Sequence, residues 1–183
     1  QKAINELFPY FKKDIKNTIE AMGGRPVTIR LLDPPLHEFI PQGKDKQEEV
    51  AKALGISVKD VQKRGDVLHE ANPMMGHRGV RLGITFPEIT EMQARAIFES
   101  AAELNKAKKP CKPEIMIPVT CDASEIKHQK EIISRVHDEV CKKMKIRNIG
   151  YLAGTMIEIP RAALLSDRIA AEADFFSFGT NDL

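Results

Sequence analysis

Two short apolar runs in the last 35 residues, each closing on a carboxylate, constrain the fold more than any other feature. The first, Ile149 to Ile159, is rich in apolar and β-branched residues and ends Met156-Ile157-Glu158-Ile159-Pro160. The second, Phe175 to Phe178, runs into Gly179-Thr180-Asn181-Asp182. Between them, Arg161 to Glu172 predicts a helix, with Leu165, Ile169 and Ala173 at helical spacing. Apolar runs without alternation suit parallel strands buried on both faces, so the pattern is strand–helix–strand. Chemistry in parallel α/β folds collects at the carboxyl ends of the strands, which is where Glu158 and Asp182 fall. A lone acid at a strand end usually caps a helix or sits in a solvated turn. Two acids on neighbouring strands, with Gly179 allowing close backbone approach, suit an oxygen-preferring cation such as Mg²⁺.

The rest of the chain repeats the alternation. Pro9 to Met22 predicts a helix with Phe11, Ile15, Ile19 and Met22 on one face, ended by Gly23-Gly24. Pro26 to Asp33 predicts a strand in which Arg30 is the anomaly. A buried arginine is costly unless it is paired or aimed at a ligand. Lys44 to Glu70 is a charged helical insertion, read as solvated, in which Gly55 ends one helix and Ser57-x-x-Asp60 opens another. Asn72 to Arg81 is dense in turn formers, and Gly76 and Gly79 bracket His77-Arg78 on a constrained loop. Thr85-x-x-Glu88 predicts the cap of a helix reaching Leu104. Glu114 to Thr120 predicts a strand, and Asp122-x-x-Glu125 caps a helix with Ile132, Ile133, Val136, Val140 and Met144 on one face. Such βα alternation predicts an α/β fold, a partial (β/α)₈ barrel of parallel strands in preference to an open sheet.

Composition excludes some classes. The 28 Lys+Arg and 26 Asp+Glu nearly cancel, so charge gives no case for nucleic acid or a membrane surface as partner. No apolar run approaches the roughly 20 residues of a membrane span. Cys111, Cys121 and Cys141 lack CxxC spacing, which argues for a reducing compartment and against structural zinc. A complete barrel takes about 250 residues, so these 183 are expected to be part of one, residues 1–183 forming a single fragment with 44–70 as its insertion.

GTMIEIPRAALL and FFSFGTNDL resemble the two signature strands of the phosphoenolpyruvate-utilising enzymes. VTIRLLDPPLHEF and NPMMGHRGVRL extend the likeness and favour the pyruvate phosphate dikinases within that family over phosphoenolpyruvate synthases and enzyme I of the sugar phosphotransferase system. With four motifs in order, the resemblance runs from about Gly24 to the end. It implies the pyruvate/phosphoenolpyruvate-binding domain of a cytoplasmic or organellar, homodimeric enzyme. That enzyme interconverts ATP, phosphate and pyruvate with AMP, diphosphate and phosphoenolpyruvate. It further implies Glu158 and Asp182 as Mg²⁺ ligands, Arg30 and Arg78 as the substrate-binding, catalytic arginines, and Gly179, Thr180, Asn181 and Asp182 around the substrate. In such enzymes the phosphocarrier histidine, the nucleotide-binding domain and a proton-donating cysteine are on other segments, so this chain alone is expected to be inactive. A folding or dimerisation unit is the alternative of a different class.

Overall fold

The computed structural model describes residues 2–68 and 75–181. Two compact units are present: Gln1–Asp33 with Gly79–Leu183, and Pro34–Arg78.

The larger unit is built on four parallel strands in the order β1-β2-β3-β4: Pro26–Arg30, Lys112–Ile117, Leu152–Ile157 and Phe176–Phe178. Strand order follows chain order and helices intervene, the arrangement of half a (β/α)₈ barrel. Parallel neighbours place residues of one register row on one face. Ile29, Ile115 and Ala153 share a row, as do Ile117 and Thr155. In these rows Ile115, Ala153, Ile117 and Thr155 are at most 1% exposed. The opposite face carries Thr28, Glu114 and Leu152, then Arg30 and Met116, and it is far more open.

Helices cover the buried face. The first, α1 (Lys2–Ala21), packs on α5 (Pro87–Lys106), and α5 packs on α6 (Ala123–Met144). Phe98, Ile97, Ile126 and Ile133 are fully buried in this layer, each contributing about 1.5–3 kcal/mol by leaving water. Helix α1 begins well before the predicted Pro9 and carries that proline inside it. Its first turns have tertiary support, since the Arg95 guanidinium of α5 lies 3.7 Å from the centroid of the Phe8 ring. Lys12 bridges Glu99 and Glu103 at 2.8 and 2.7 Å, Lys16 reaches Glu103 at 2.6 Å, and Lys143 of α6 reaches Glu99 at 3.0 Å.

Local signals succeeded and failed for physical reasons. Asp122 accepts from the Ser124 N–H, and Glu125 reaches back to the Asp122 N–H, completing the capping box of α6. Thr85 does not cap α5. It ends a separate helix, α4 (Gly79–Thr85), where its hydroxyl donates to the Arg81 carbonyl at 3.1 Å. Phe86 is the α5 N-cap, and Pro87 begins the helix, a position where its missing N–H costs nothing. The predicted helix after Glu158 is broken at Leu165 into α7 (Pro160–Leu164) and α8 (Ser166–Ala170).

The smaller unit holds a 3₁₀ turn (Leu36–Phe39) and two mutually packed helices, α2 (Lys44–Leu54) and α3 (Val58–Leu68). Gly55 closes α2 in the left-handed region, and the Ser57 hydroxyl accepts from the Asp60 N–H at the start of α3. Phe39, Ile40, Leu54, Ile56 and Leu68 line an apolar groove of about 220 Å³. An apolar groove was not expected from so charged a stretch.

Candidate functional site

Glu158 directly follows β3 and is 6% exposed. A buried carboxylate needs donors. Its Oε1 accepts the Val119 N–H at 2.7 Å, just past the end of β2. The Arg30 guanidinium, at the end of β1, stands 3.4 and 3.3 Å from Oε1 and Oε2. The same Arg30 nitrogen donates to Asp33 at 2.8 Å, a carboxylate whose side chain is only 6% exposed. Gly179 follows β4, and its N–H donates to the Ile157 carbonyl at 3.0 Å. A Cβ on Gly179 would lie 2.9 Å from the Glu158 Cβ, so glycine is required there by space. Three strand ends thus bring Arg30, Glu158 and Gly179 to one rim.

Thr180 and Asn181 continue from Gly179 and are solvent-exposed. Asp182 lies outside the described residues. Arg78 closes the smaller unit, where its N–H donates to the Gly76 carbonyl at 3.0 Å. His77 is part of the same partly buried turn.

Two contributors were not anticipated. Asp33 fixes Arg30, and the Arg-x-x-Asp spacing was the signal available for it. Val119 had none: it is fully buried with φ of +57°, a left-handed conformation that β-branched residues avoid at a cost of about 1–3 kcal/mol.

Among the described residues no group of three or more His, Cys, Asp or Glu side chains is placed to hold a metal ion. From the described residues Glu158 receives one short hydrogen bond, that of the Val119 N–H. The Arg30 contacts are longer than the 2.7–2.9 Å of a strong charge-assisted bond. A carboxylate has about four acceptor sites, so Glu158 retains capacity for an oxygen-preferring ion such as Mg²⁺. The thiols are poor alternatives, since burial pushes Cys111, Cys121 and Cys141 up from the ordinary cysteine range.

A parallel half-barrel with a buried acid and a paired arginine on its carboxyl rim defines a partial β/α-barrel domain. The chain belongs to the family described as PEP-utilising enzyme, PEP-binding domain, whose profile matches residues 3–183. It is 51% identical to the pyruvate, phosphate dikinase of Clostridium symbiosum, across all of this chain and 21% of that protein. It is also 51% identical to the chloroplastic pyruvate, phosphate dikinase 1 of Oryza sativa subsp. japonica, across all of this chain and 19% of that protein. The pyruvate, phosphate dikinase of Rhizobium meliloti (strain 1021) shows 51% identity across 99% of the chain and 20% of its own length. The chain therefore spans about a fifth of the length of these relatives. No helix among the described residues is long and apolar enough to cross a membrane.

Proposed function

We propose that this chain is the pyruvate/phosphoenolpyruvate-binding part of a pyruvate phosphate dikinase, with residues 1–183 contributing to one barrel domain. The observation that carries this reading is the meeting of Arg30 and Glu158, 128 residues apart in sequence, through an ion pair at the ends of β1 and β3. The overall reaction is ATP, pyruvate and phosphate to AMP, phosphoenolpyruvate and diphosphate, with a phosphohistidine elsewhere in the full-length protein as phosphoryl donor and a homodimer as the working form.

In this reading Glu158 and Asp182 hold Mg²⁺, which when bound supplies the positive charge favouring the enolate form of pyruvate. Arg30 has two roles. It neutralises Glu158, and its fork offers fixed donors to the equatorial oxygens of the phosphoryl group as it transfers. Arg78 supplies a second fork of the same kind. Asn181 donates its side-chain amide to the substrate carboxylate, with Thr180 and Gly179 beside it, the latter where a Cβ would collide with Glu158. Asp33 orients Arg30 through their 2.8 Å contact.

The test uses the full-length protein carrying this chain. Glu158→Gln should abolish Mg²⁺-dependent exchange of pyruvate methyl protons with solvent deuterium, yet leave ATP-dependent phosphorylation of the carrier histidine intact. Exchange at the wild-type rate would refute the assignment of Glu158.

A further inference from the structure

The peptide unit joining Pro118 to Val119 is held on both sides. Its carbonyl accepts the Val80 N–H at 3.0 Å, and its N–H donates to Glu158 Oε1 at 2.7 Å. The chain turns left-handed immediately after it, at a Val119 that is fully buried. Nothing in the residue type favours this turn, because valine's branched Cβ crowds the backbone there. The surroundings impose it. Gly79, itself at φ +56°, approaches so closely that a Cβ would lie 2.8 Å from Val119 Cγ2 and 2.9 Å from the Pro118 carbonyl oxygen. One residue before the unit, the Ile117 carbonyl accepts the Thr155 hydroxyl at 2.7 Å. The turn is thus fixed from α4 and from β3.

We infer that the 118–119 peptide is a positioning element for Glu158, with Val119 as the positioning residue. Backbone strain kept in a buried, over-determined turn typically marks a place where orientation matters. Here the oriented group is Glu158, a buried rim carboxylate to which Arg30 and Val119 both donate. The short bond from the Val119 N–H falls on Oε1, whereas Oε2 meets the Arg30 guanidinium at a longer 3.3 Å, so Oε2 is the oxygen more open to a ligand. Oε2 is also the oxygen nearer Gly179, 3.5 Å from where its Cβ would be. The bond selects the ligating oxygen and its direction, as outer-shell hydrogen bonds do for metal-binding carboxylates. This inference rests on the reading of Glu158 as a cation ligand.

The test is Mn²⁺ binding, followed by electron paramagnetic resonance of the free ion, in the full-length protein. Replacing the amide at Val119 by an ester (2-hydroxyisovalerate incorporated at that position) removes the N–H and keeps the side chain. It should weaken Mn²⁺ binding by about 10–100-fold. Val119→Gly removes the side chain but keeps the N–H and takes the left-handed turn readily, so its affinity should stay close to wild type. A purely structural role for Val119 predicts the reverse order, because Val119→Gly vacates more buried volume than the ester does. In a Glu158→Gln background the ester should add no further loss. Hydrogen exchange of the peptide spanning 118–121, without metal, should quicken with Glu158→Gln. An ester that leaves affinity unchanged, or a glycine variant that loses at least as much, overturns the inference. If Glu158→Gln itself leaves Mn²⁺ affinity unchanged, the reading of Glu158 as a ligand falls first, and that outcome is distinct from the other two.

Discussion

The two faces of the four-stranded sheet have been put to opposite uses. On one, Ile115, Ile117, Ala153, Thr155 and Ile157 are at most 2% exposed, under a helical layer containing Phe98, Ile97, Ile126 and Ile133. On the other, Thr28 donates to Glu114 at 2.6 Å, and Leu152 remains 44% exposed. Polar pairs of this kind contribute little net stability. The apolar face, by contrast, removes several whole side chains from water, each worth about 1.5–3 kcal/mol. The helix-covered face therefore sets the stability of the larger unit. The open face and its rim are free to carry charge, strain and unfilled acceptor sites. Arg30 shows the contrast within one strand: it stands two residues beyond Thr28 on the open face, while Val27 of the same strand is buried.

The largest effect should come from the covered face. Phe98→Ala opens a void among rings that meet edge-on, with Tyr151 and His137 at 4.9 and 5.2 Å between centroids. The expected loss is about 3–5 kcal/mol. Leu152→Ala, on the open face, should cost far less because Leu152 has little burial to lose. Hydrogen exchange of the α5 and α6 amides in the full-length protein measures both. Equal losses would mean that the open face is core as well, and the contrast would fail.

Next in size is a functional change without a matching loss of stability. Arg30→Lys keeps the charge but removes the planar guanidinium, one nitrogen of which meets both Asp33 and Glu158. The KM for phosphoenolpyruvate should rise and the pyruvate-side half reaction slow, each on the order of 10–100-fold. Thermal unfolding should shift little. Arg64→Lys, on α3 of the smaller unit, is the matched control and should change neither quantity. A comparable effect from both substitutions would reduce Arg30 to a structural ion pair.

These two faces were not equally legible in the sequence. The parallel strands and long helices were, because short apolar runs and helical spacing mark them and because α6 carries its cap in Asp122 and Glu125; burial on both faces, expected from those runs, holds on one face only. The separate helices α4, α7 and α8 were not. Thr85 fits a capping pattern but bonds backward to Arg81, and Leu165, at φ −107° and ψ 18°, interrupts an otherwise regular helical spacing. At the rim, Arg30 and Glu158 could be singled out as charges in apolar strands. The turn at Val119 could not, since valine's own preference argues against it and its partner Glu158 is 39 residues away. Propensity reads what a residue prefers, whereas this turn exists because its neighbours outvote that preference.

The smallest expected effect lies on the covered side and separates ionic from apolar contributions there. Burial alone would raise the Glu99 carboxyl, but hydrogen bonds from Lys12 and Lys143 hold it below the ordinary range. Bonds from Lys12 and Lys16 likewise lower Glu103. Burial opposes the charge on Lys12, yet Glu103 and Glu99 leave it raised above its ordinary value. For the two acids, the folded state binds protons less readily than the unfolded one. Their stabilisation is therefore fully present above the ordinary carboxyl range of about 4.3, and it is lost as pH falls through the lower folded values. For Lys12 the sign is opposite: its contribution is present below its ordinary value and lost as pH rises through the raised one. Glu99→Gln should accordingly lower the apparent Tm of the full-length protein modestly and by a constant amount between pH 6 and 8, a window roughly clear of both titrations. As pH falls through the lowered folded value of Glu99 the two proteins should converge, because wild type then carries a protonated, uncharged Glu99 as well. A gap that persists undiminished into acid would show that Glu99 acts through packing and neutral hydrogen bonds, and that ionic contacts contribute nothing to docking α1 on α5.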